Sequence, residues 1–384
     1  MALFDQRPCR PARVIRAASW LAGTLGAVLG SCAVALAAIG EPCDSGPFCQ
    51  DASCRIDCPN HEVFGPQVWC APPRDRWFAQ ADGALLTRHV NQSVRFAALL
   101  PSGTPVLTTH ALDEPFRGAP RFWIGHRALE APWQVDFGCY WVSDWEASAA
   151  VRNDDLNFLG LGGRLVSPFS HFAQPLPVLG YDFNRLVSVR ELSELQNYEL
   201  NVRYQFARPG PPTALIAGVR YLGVQETFDY LSESLVPAPG GSSVATSTRT
   251  ANELWGPQIG LEVDFSKRPR WHVHCETKWA ICNNHARQTT VGTLNTNGGA
   301  TPLGGTAVTD ATAWVGDLDV VLVWYVRPHL KTRVGYQAMW VGGLALGARN
   351  FAAPASVMEL GPAAVDTSGV VFYHGPHVGL ELAW

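Results

Sequence analysis

The sequence predicts an all-β chain: a transmembrane antiparallel up-and-down β-barrel of about ten strands with a short Cys-rich N-terminal segment. Three observations predict it. In the last ten residues Val378, Leu380, Leu382 and Trp384 alternate with His377, Gly379, Glu381 and Ala383, as on a strand with one apolar and one polar face. The same two-residue alternation recurs from Trp77 onward. Between the alternating runs, short and long links take turns, the pattern of a barrel with tight turns at one mouth and long loops at the other.

Taken in order, residues 1–37 read as a secretory signal. Arg7, Arg10, Arg13 and Arg16 precede an uncharged stretch over 17–40 that carries Ala35-Leu-Ala37 as a cleavage site. Two alternatives stay open: an uncleaved anchor, since the stretch is long enough to span a membrane, and a lipoprotein leader read from Leu29-Gly-Ser-Cys32. Past Gly40 no apolar run has the length of a membrane helix. A mature chain integral to a membrane must therefore cross it with strands.

Residues 38–76 form the Cys-rich segment, expected in the periplasm. Cys43, Cys49, Cys54, Cys58 and Cys70 crowd it, and in an exported chain such crowding predicts a disulfide-stapled element. Their gaps do not follow the paired spacing of zinc ribbons. The pairing is open, and their odd number leaves one cysteine over.

The barrel is expected over 77–384. Trp133, Val135, Phe137, Cys139, Trp141 and Trp145 are read as one face of a strand, with Gln134, Asp136, Gly138 and Tyr140 on the other. Tyr198 to Phe206, Trp255 to Phe265 and Trp271 to Ile281 alternate likewise. Each run covers roughly ten residues, enough for a tilted strand to cross the hydrocarbon. Tryptophan and tyrosine recur at the ends of the apolar faces, where their amphipathic rings suit a membrane interface. Short links are read at 128–131, 207–212, 266–270 and 327–329, and long ones at 90–118, 147–195, 227–252, 283–313 and 342–374. The long links are rich in Gly, Ser, Thr, Pro and Asn and are expected to be solvated loops without a core of their own. Both chain ends and the short links then face the periplasm.

Composition agrees. Charged residues make up 16% of the 384, against about 25% in soluble domains. A net charge of -4 leaves no basic footprint for nucleic acid.

Over 77–384 the chain resembles the seventh beta-barrel porin family, found chiefly in planctomycete-type Gram-negative bacteria. The likeness rests on Arg121-Phe-Trp-Ile-Gly125 leading into Trp133 to Trp145, on Leu215-Ile-Ala-Gly-Val-Arg-Tyr221 followed by Glu226, and on Leu254-Trp-Gly-Pro-Gln-Ile-Gly260. It rests also on Arg333-Val-Gly-Tyr336 with Trp340 and Gly343, and on the C-terminal Gly375 to Trp384. Trp271 to Asn284 departs from the family pattern in its histidines and cysteines. The resemblance implies an outer-membrane barrel and leaves transport as little more than the family's name.

Candidate functional residues lie on the polar face. Arg203, Arg220, Glu262, Asp264, His272, His274, Glu276, Lys278, Asp317, Asp319, Lys331 and Arg333 are the expected charged residues of the lumen. Across the hairpin at Lys267 the expected partners are Asp264 with His272, Glu262 with His274 and Gly260 with Glu276. Such a wall serves either as a polar pathway or ion-selective constriction, or as a filling of mutually satisfied charges in a narrow barrel. His272, His274, Cys275, Cys282 and His285 look like a metal cluster in one dimension, but in a strand Cys275 points away from His274, so no metal is expected there. His110, Asp113, Asp154, Asp155, His171 and His285 lie in or near long links without a catalytic spacing, and no enzyme and no cofactor is expected. Val378, Leu380, Leu382 and Trp384 are read as the signal for the barrel-assembly machinery. Outer-membrane lipid and that machinery are the expected partners, nucleic acid is not, and the sequence is silent on oligomeric state. Two functions remain: porin-like passage of small solutes or ions, or a structural or surface-interaction barrel with a filled lumen.

Overall fold

The computed structural model describes residues 77–384 apart from 113, 129–130, 158–159, 161, 175, 179–180, 207–210, 236–240, 269, 297–298, 328 and 352–363. The expected signal over 1–37 and Cys43, Cys49, Cys54, Cys58 and Cys70 lie outside the described residues.

Strand follows strand: β1 (Trp77–Val90), β2 (Arg95–Leu99), β3 (Thr104–Thr108), β4 (Arg117–Arg127), β5 (Trp133–Arg152), β6 (Leu165–Val166), β7 (Asn184–Phe206) and β8 (Thr213–Ser234). Then come β9 (Ser242–Arg268), β10 (Trp271–Thr296), β11 (Gly299–Arg327), β12 (Leu330–Leu344), a one-turn helix α1 (Gly347–Phe351) and β13 (Gly369–Ala383). In the sheet the neighbours run β3-β2-β6-β7-β5-β4-β1-β13-β12-β11-β10-β9-β8, and β7 pairs in addition with β8. The hydrogen-bonded order from β7 through β5 to β8 thus comes back to β7, all of it antiparallel. The first and last strands are neighbours, with Trp77 and Trp384 exchanging backbone hydrogen bonds of 2.9 and 3.0 Å.

Alternation decides which face each residue takes. Val378, Leu380, Leu382 and Trp384 stand on the outward face, each more than half exposed. Trp77, Trp133 and Trp324 join Trp384 in an exposed row near the short links, while Trp141, Tyr198, Trp255 and Tyr336 stand exposed further along their strands. The opposite face is buried and largely polar.

Four expectations need correction. Trp145 does not share a face with Trp141: a bulge between Val142 and Trp145 shifts the phase by one residue. The indole turns inward, 1% exposed, and donates to the Leu86 carbonyl at 3.2 Å. The β9–β10 hairpin is also two residues out of its expected register. His274 pairs with Asp264, Glu276 with Glu262 and Lys278 with Gly260, because the chain turns later than expected, with Arg268 opposite Trp271, and the bulge at Trp271/Val273 takes back only one residue of that shift.

The long links, thirdly, are not coreless loops. The spans 227–252 and 283–313 are mostly strand, so that β9, β10 and β11 reach 27, 26 and 29 residues. Serine and threonine there keep the β-branched alternation going, as in Ser243-Val-Ala-Thr-Ser-Thr-Arg-Thr250. Their far ends enclose a second apolar core in which Phe96 and Leu107 meet Phe169, Phe228, Tyr230 and Phe351. Asp182 ties down the segment that carries Phe169 by accepting from the Ser167 and Val178 amides and the Ser170 hydroxyl, at 3.1, 2.8 and 2.7 Å. Burial lifts this carboxyl above its ordinary value despite those bonds.

The disulfide expectation is also corrected. Among the described residues no disulfide is found: Cys139, Cys275 and Cys282 carry none. Cys139 on β5 and Cys275 on β10 face outward from strands that are not neighbours, and Cys282 faces inward, so their thiols cannot meet.

Candidate functional site

The buried polar face is where chemistry collects, and all twelve charged residues expected on it are there. Near the short links they gather into a network of adjacent ion-paired groups. Arg203, on β7, donates Nε to Asp136 at 2.6 Å and also reaches Glu262 and Glu276 on β9 and β10. Arg220 bridges Glu199 at 2.8 Å and Asp317 at 3.0 Å. Lys278 lies 2.8 Å from both Glu199 and Glu276. Arg121 holds Asp319 at 2.9 Å, and Lys331 and Arg333 share Glu381. His377 stands between Asp319 at 2.8 Å and Asp82 at 3.5 Å. Its ring lies over Gly335, where any Cβ would sit 2.5 Å from Nε2; the missing side chain makes the room. A cavity of about 200 Å³ remains in this layer, with Asp264, His272 and His274 in its lining.

Asp264, at the edge of the network, has His274 Nδ1 at 2.7 Å and His272 Nε2 at 3.7 Å. Glu262 turns Oε1 to His274 at 4.0 Å. The metal cluster suggested by the order of residues along the chain does not assemble: His285 faces out and pairs with Asp310 at 2.9 Å, while Cys282 sits in the apolar layer described next.

Above the network an apolar layer crosses the enclosed space. It draws Leu86, Ala119, Trp145, Leu195, Leu222, Leu254, Cys282, Val315, Met339 and Tyr373 from all the strands of the cycle. Side chains from far-apart strands touch: Tyr140 Oη donates to Met339 Sδ at 3.2 Å, and the rings of Trp145 and Tyr373 lie 5.5 Å apart.

A second charged group follows, and sequence reasoning missed it. Arg88, 1% exposed, meets Glu226 at 2.6 Å, Glu114 at 3.1 Å and Glu191 at 3.4 Å. Arg88, Glu114 and Glu191 border or lie in stretches read as links, so no alternation marked them as inward. Glu114 lies outside the strands, and burial raises its carboxyl to about 8, with Glu191 and Glu226 adding to the rise and Arg88 opposing it. The chain after β12 folds into the enclosed space here. Asn252 grips both backbone groups of Ala345 at 2.7 and 2.9 Å, and Glu226 accepts from the Gly347 amide at 2.7 Å. A cavity of about 300 Å³ lies beside Arg88, lined also by His110, Leu112 and Arg349.

In comparison with known proteins, the family described as "Putative beta barrel porin-7" is matched over residues 184–384. No curated protein matches. Among solved structures, the outer membrane protease OmpT from Escherichia coli is similar at 11% identity and TM-score 0.45, over 82% of this chain and 99% of that one. A major outer membrane protein from Thermus thermophilus is similar at 11% identity and TM-score 0.30, over 80% and 98%. The transport unit of the autotransporter AIDA-I from Escherichia coli is similar at 7% and 0.27, over 88% and 94%.

Proposed function

Since the chain belongs to the beta barrel porin-7 family and its place is the outer membrane, we propose that it is a closed barrel with an occluded interior, working as a structural or surface-interaction protein and not as an open porin. The cycle of strands supports closure: β7, β5, β4, β1, β13, β12, β11, β10, β9 and β8 leave no unpaired edge in the ring, as hydrocarbon demands. The exposed apolar face with its rows of Trp and Tyr is the lipid belt. In this reading the short links and both chain ends face the periplasm, and the barrel-assembly machinery reads the strand that ends at Trp384.

The observation that carries occlusion is the layering of the interior. A charged network, an apolar layer built from every strand of the ring, the Arg88 group and the outer apolar core follow one another. A conduit for ions needs a continuous wet path, and the apolar layer interrupts it. Outside, the 26 to 29 residues of β10 and β11 far exceed the roughly ten that cross a bilayer. The far ends of the strands build a rim whose outer side carries a concavity of about 880 Å³ lined by Ser148, Arg190, Asp229, Ser247 and Val291 among others. No catalytic role is assigned.

Reconstitution of the protein in planar bilayers tests the reading. The expected record has no steady conductance steps. Reproducible steps like those of a water-filled pore would overturn occlusion and restore passage of small solutes.

A further inference from the structure

We propose that His272, His274 and Asp264, with Glu262 beside them, form a binding site for one divalent transition-metal ion of the zinc type at the short-link mouth of the barrel. The inference goes beyond the occluded-barrel reading and does not depend on it.

Position comes first. His272 and His274 are two apart on β10, so both rings point inward. Asp264 is the cross-strand partner of His274, and Glu262 is two residues from Asp264 on the same face of β9. One oxygen or nitrogen from each of Glu262, Asp264 and His274 lies within 4.8 Å of the others. Zinc bonds of about 2.0–2.2 Å in a tetrahedral shell place neighbouring ligand atoms roughly 3.3–3.6 Å apart. The separations here, 2.7 Å for His274 Nδ1 to Asp264, 3.7 Å for His272 Nε2 to Asp264 and 4.0 Å for His274 Nδ1 to Glu262, bracket that range. Small side-chain movements bring Glu262, Asp264 and His274 to one ion, and His272, outside that trio but 3.7 Å from Asp264, would have to turn toward it to complete the shell. An ion would replace the proton that now joins His274 to Asp264, so binding releases a proton where one is held.

Charge gives an independent reason. Within the network carboxylates outnumber arginines and lysines, and the cations are engaged elsewhere: Lys331 and Arg333 by Glu381, Lys278 by Glu199 and Glu276, Arg220 by Glu199 and Asp317. Arg203 takes Oε2 of Glu262 and leaves Oε1 turned to His274. The direct partners of Asp264 are the two imidazoles, with Lys331 acting only from further off, so a bound cation would supply the charge its carboxylate lacks at contact. The cavity of about 200 Å³ beside these groups admits one. Two imidazoles with carboxylates favour zinc, nickel or copper over magnesium or calcium, which take oxygen alone.

The test uses the full chain in detergent, with its cysteines alkylated so that no thiolate binds metal. Cobalt(II) is titrated and followed by its visible absorption, then displaced with zinc. Saturation at one ion per chain is expected, with the weak bands of nitrogen and oxygen ligation. Affinity should fall by at least about tenfold in Asp264→Asn and in His274→Gln, each shown to be folded by its heat-modifiable mobility, and should not change in His285→Gln. If either variant fails to fold, His272→Asn replaces it. No saturable binding, or binding that these substitutions leave intact, would overturn the site and leave the cluster a plain ion-pair group.

Discussion

Replacing Arg220 with Met should destabilise the protein by about 3–5 kcal/mol, the cost of removing one partner from a buried ion pair. The side chain is 0% exposed, and its partners Glu199 and Asp317 are 1% and 5% exposed. After the substitution Glu199 keeps Lys278 at 2.8 Å, but Asp317 keeps only an amide contact with Gln337 at 3.3 Å. A buried carboxylate is left without a direct cationic partner. The control is Arg190→Met, whose pair with Glu146 also measures 2.8 Å but is about half exposed on both sides; solvent screening limits its cost to about 0–1 kcal/mol. Urea titration of refolding into lipid vesicles, followed by tryptophan fluorescence, compares the two. Roughly two to nearly four powers of ten should separate the unfolding constant of Arg220→Met from that of the native chain. If Arg220→Met costs no more than Arg190→Met, water screens the network freely and its reading as a buried set of mutually dependent charges is refuted.

Trp384→Asp should remove most of the protein from the outer membrane, whereas Ala383→Asp, on the enclosed face opposite Phe78, should be better tolerated. A misplaced acid near an interface costs less than the roughly 2–4 kcal/mol of a midplane Arg or Lys, so a severe loss means failed assembly; equal abundance of the two variants on immunoblots of membrane fractions would contradict the signal. Glu114, raised from its ordinary 4.5 to about 8 by burial, retains its proton in the folded state across that window. Its contribution to stability is complete below pH 4.5 and is lost as pH climbs through 8. Hydrogen exchange over residues 109–116, corrected for the intrinsic rate, should therefore quicken between pH 5 and pH 8.5, and Glu114→Gln should flatten the change; a flat profile in the native chain would refute it.

The inward set Arg203, Glu262, His274, Lys278, Asp317 and Arg333 was legible in the sequence because a strand's side chains alternate with a period of two, and that period survives any register. The same logic placed Val378 to Trp384 outward. Partnership was not legible. A bulge at Val142/Trp145 turned Trp145 inward, and a hairpin that turns between Arg268 and Trp271 gave Asp264 to His274 instead of His272, since bulges and turn positions are set by the fit of two strands and leave no mark in either alone. The contacts that close the interior lie 97 residues apart for Arg220 and Asp317 and 138 for Arg88 and Glu226. One-dimensional pattern determined which face each residue takes and hence the class of fold. Only the curvature of the whole sheet decided which inward residues meet, and so whether the polar face lines a path or fills it.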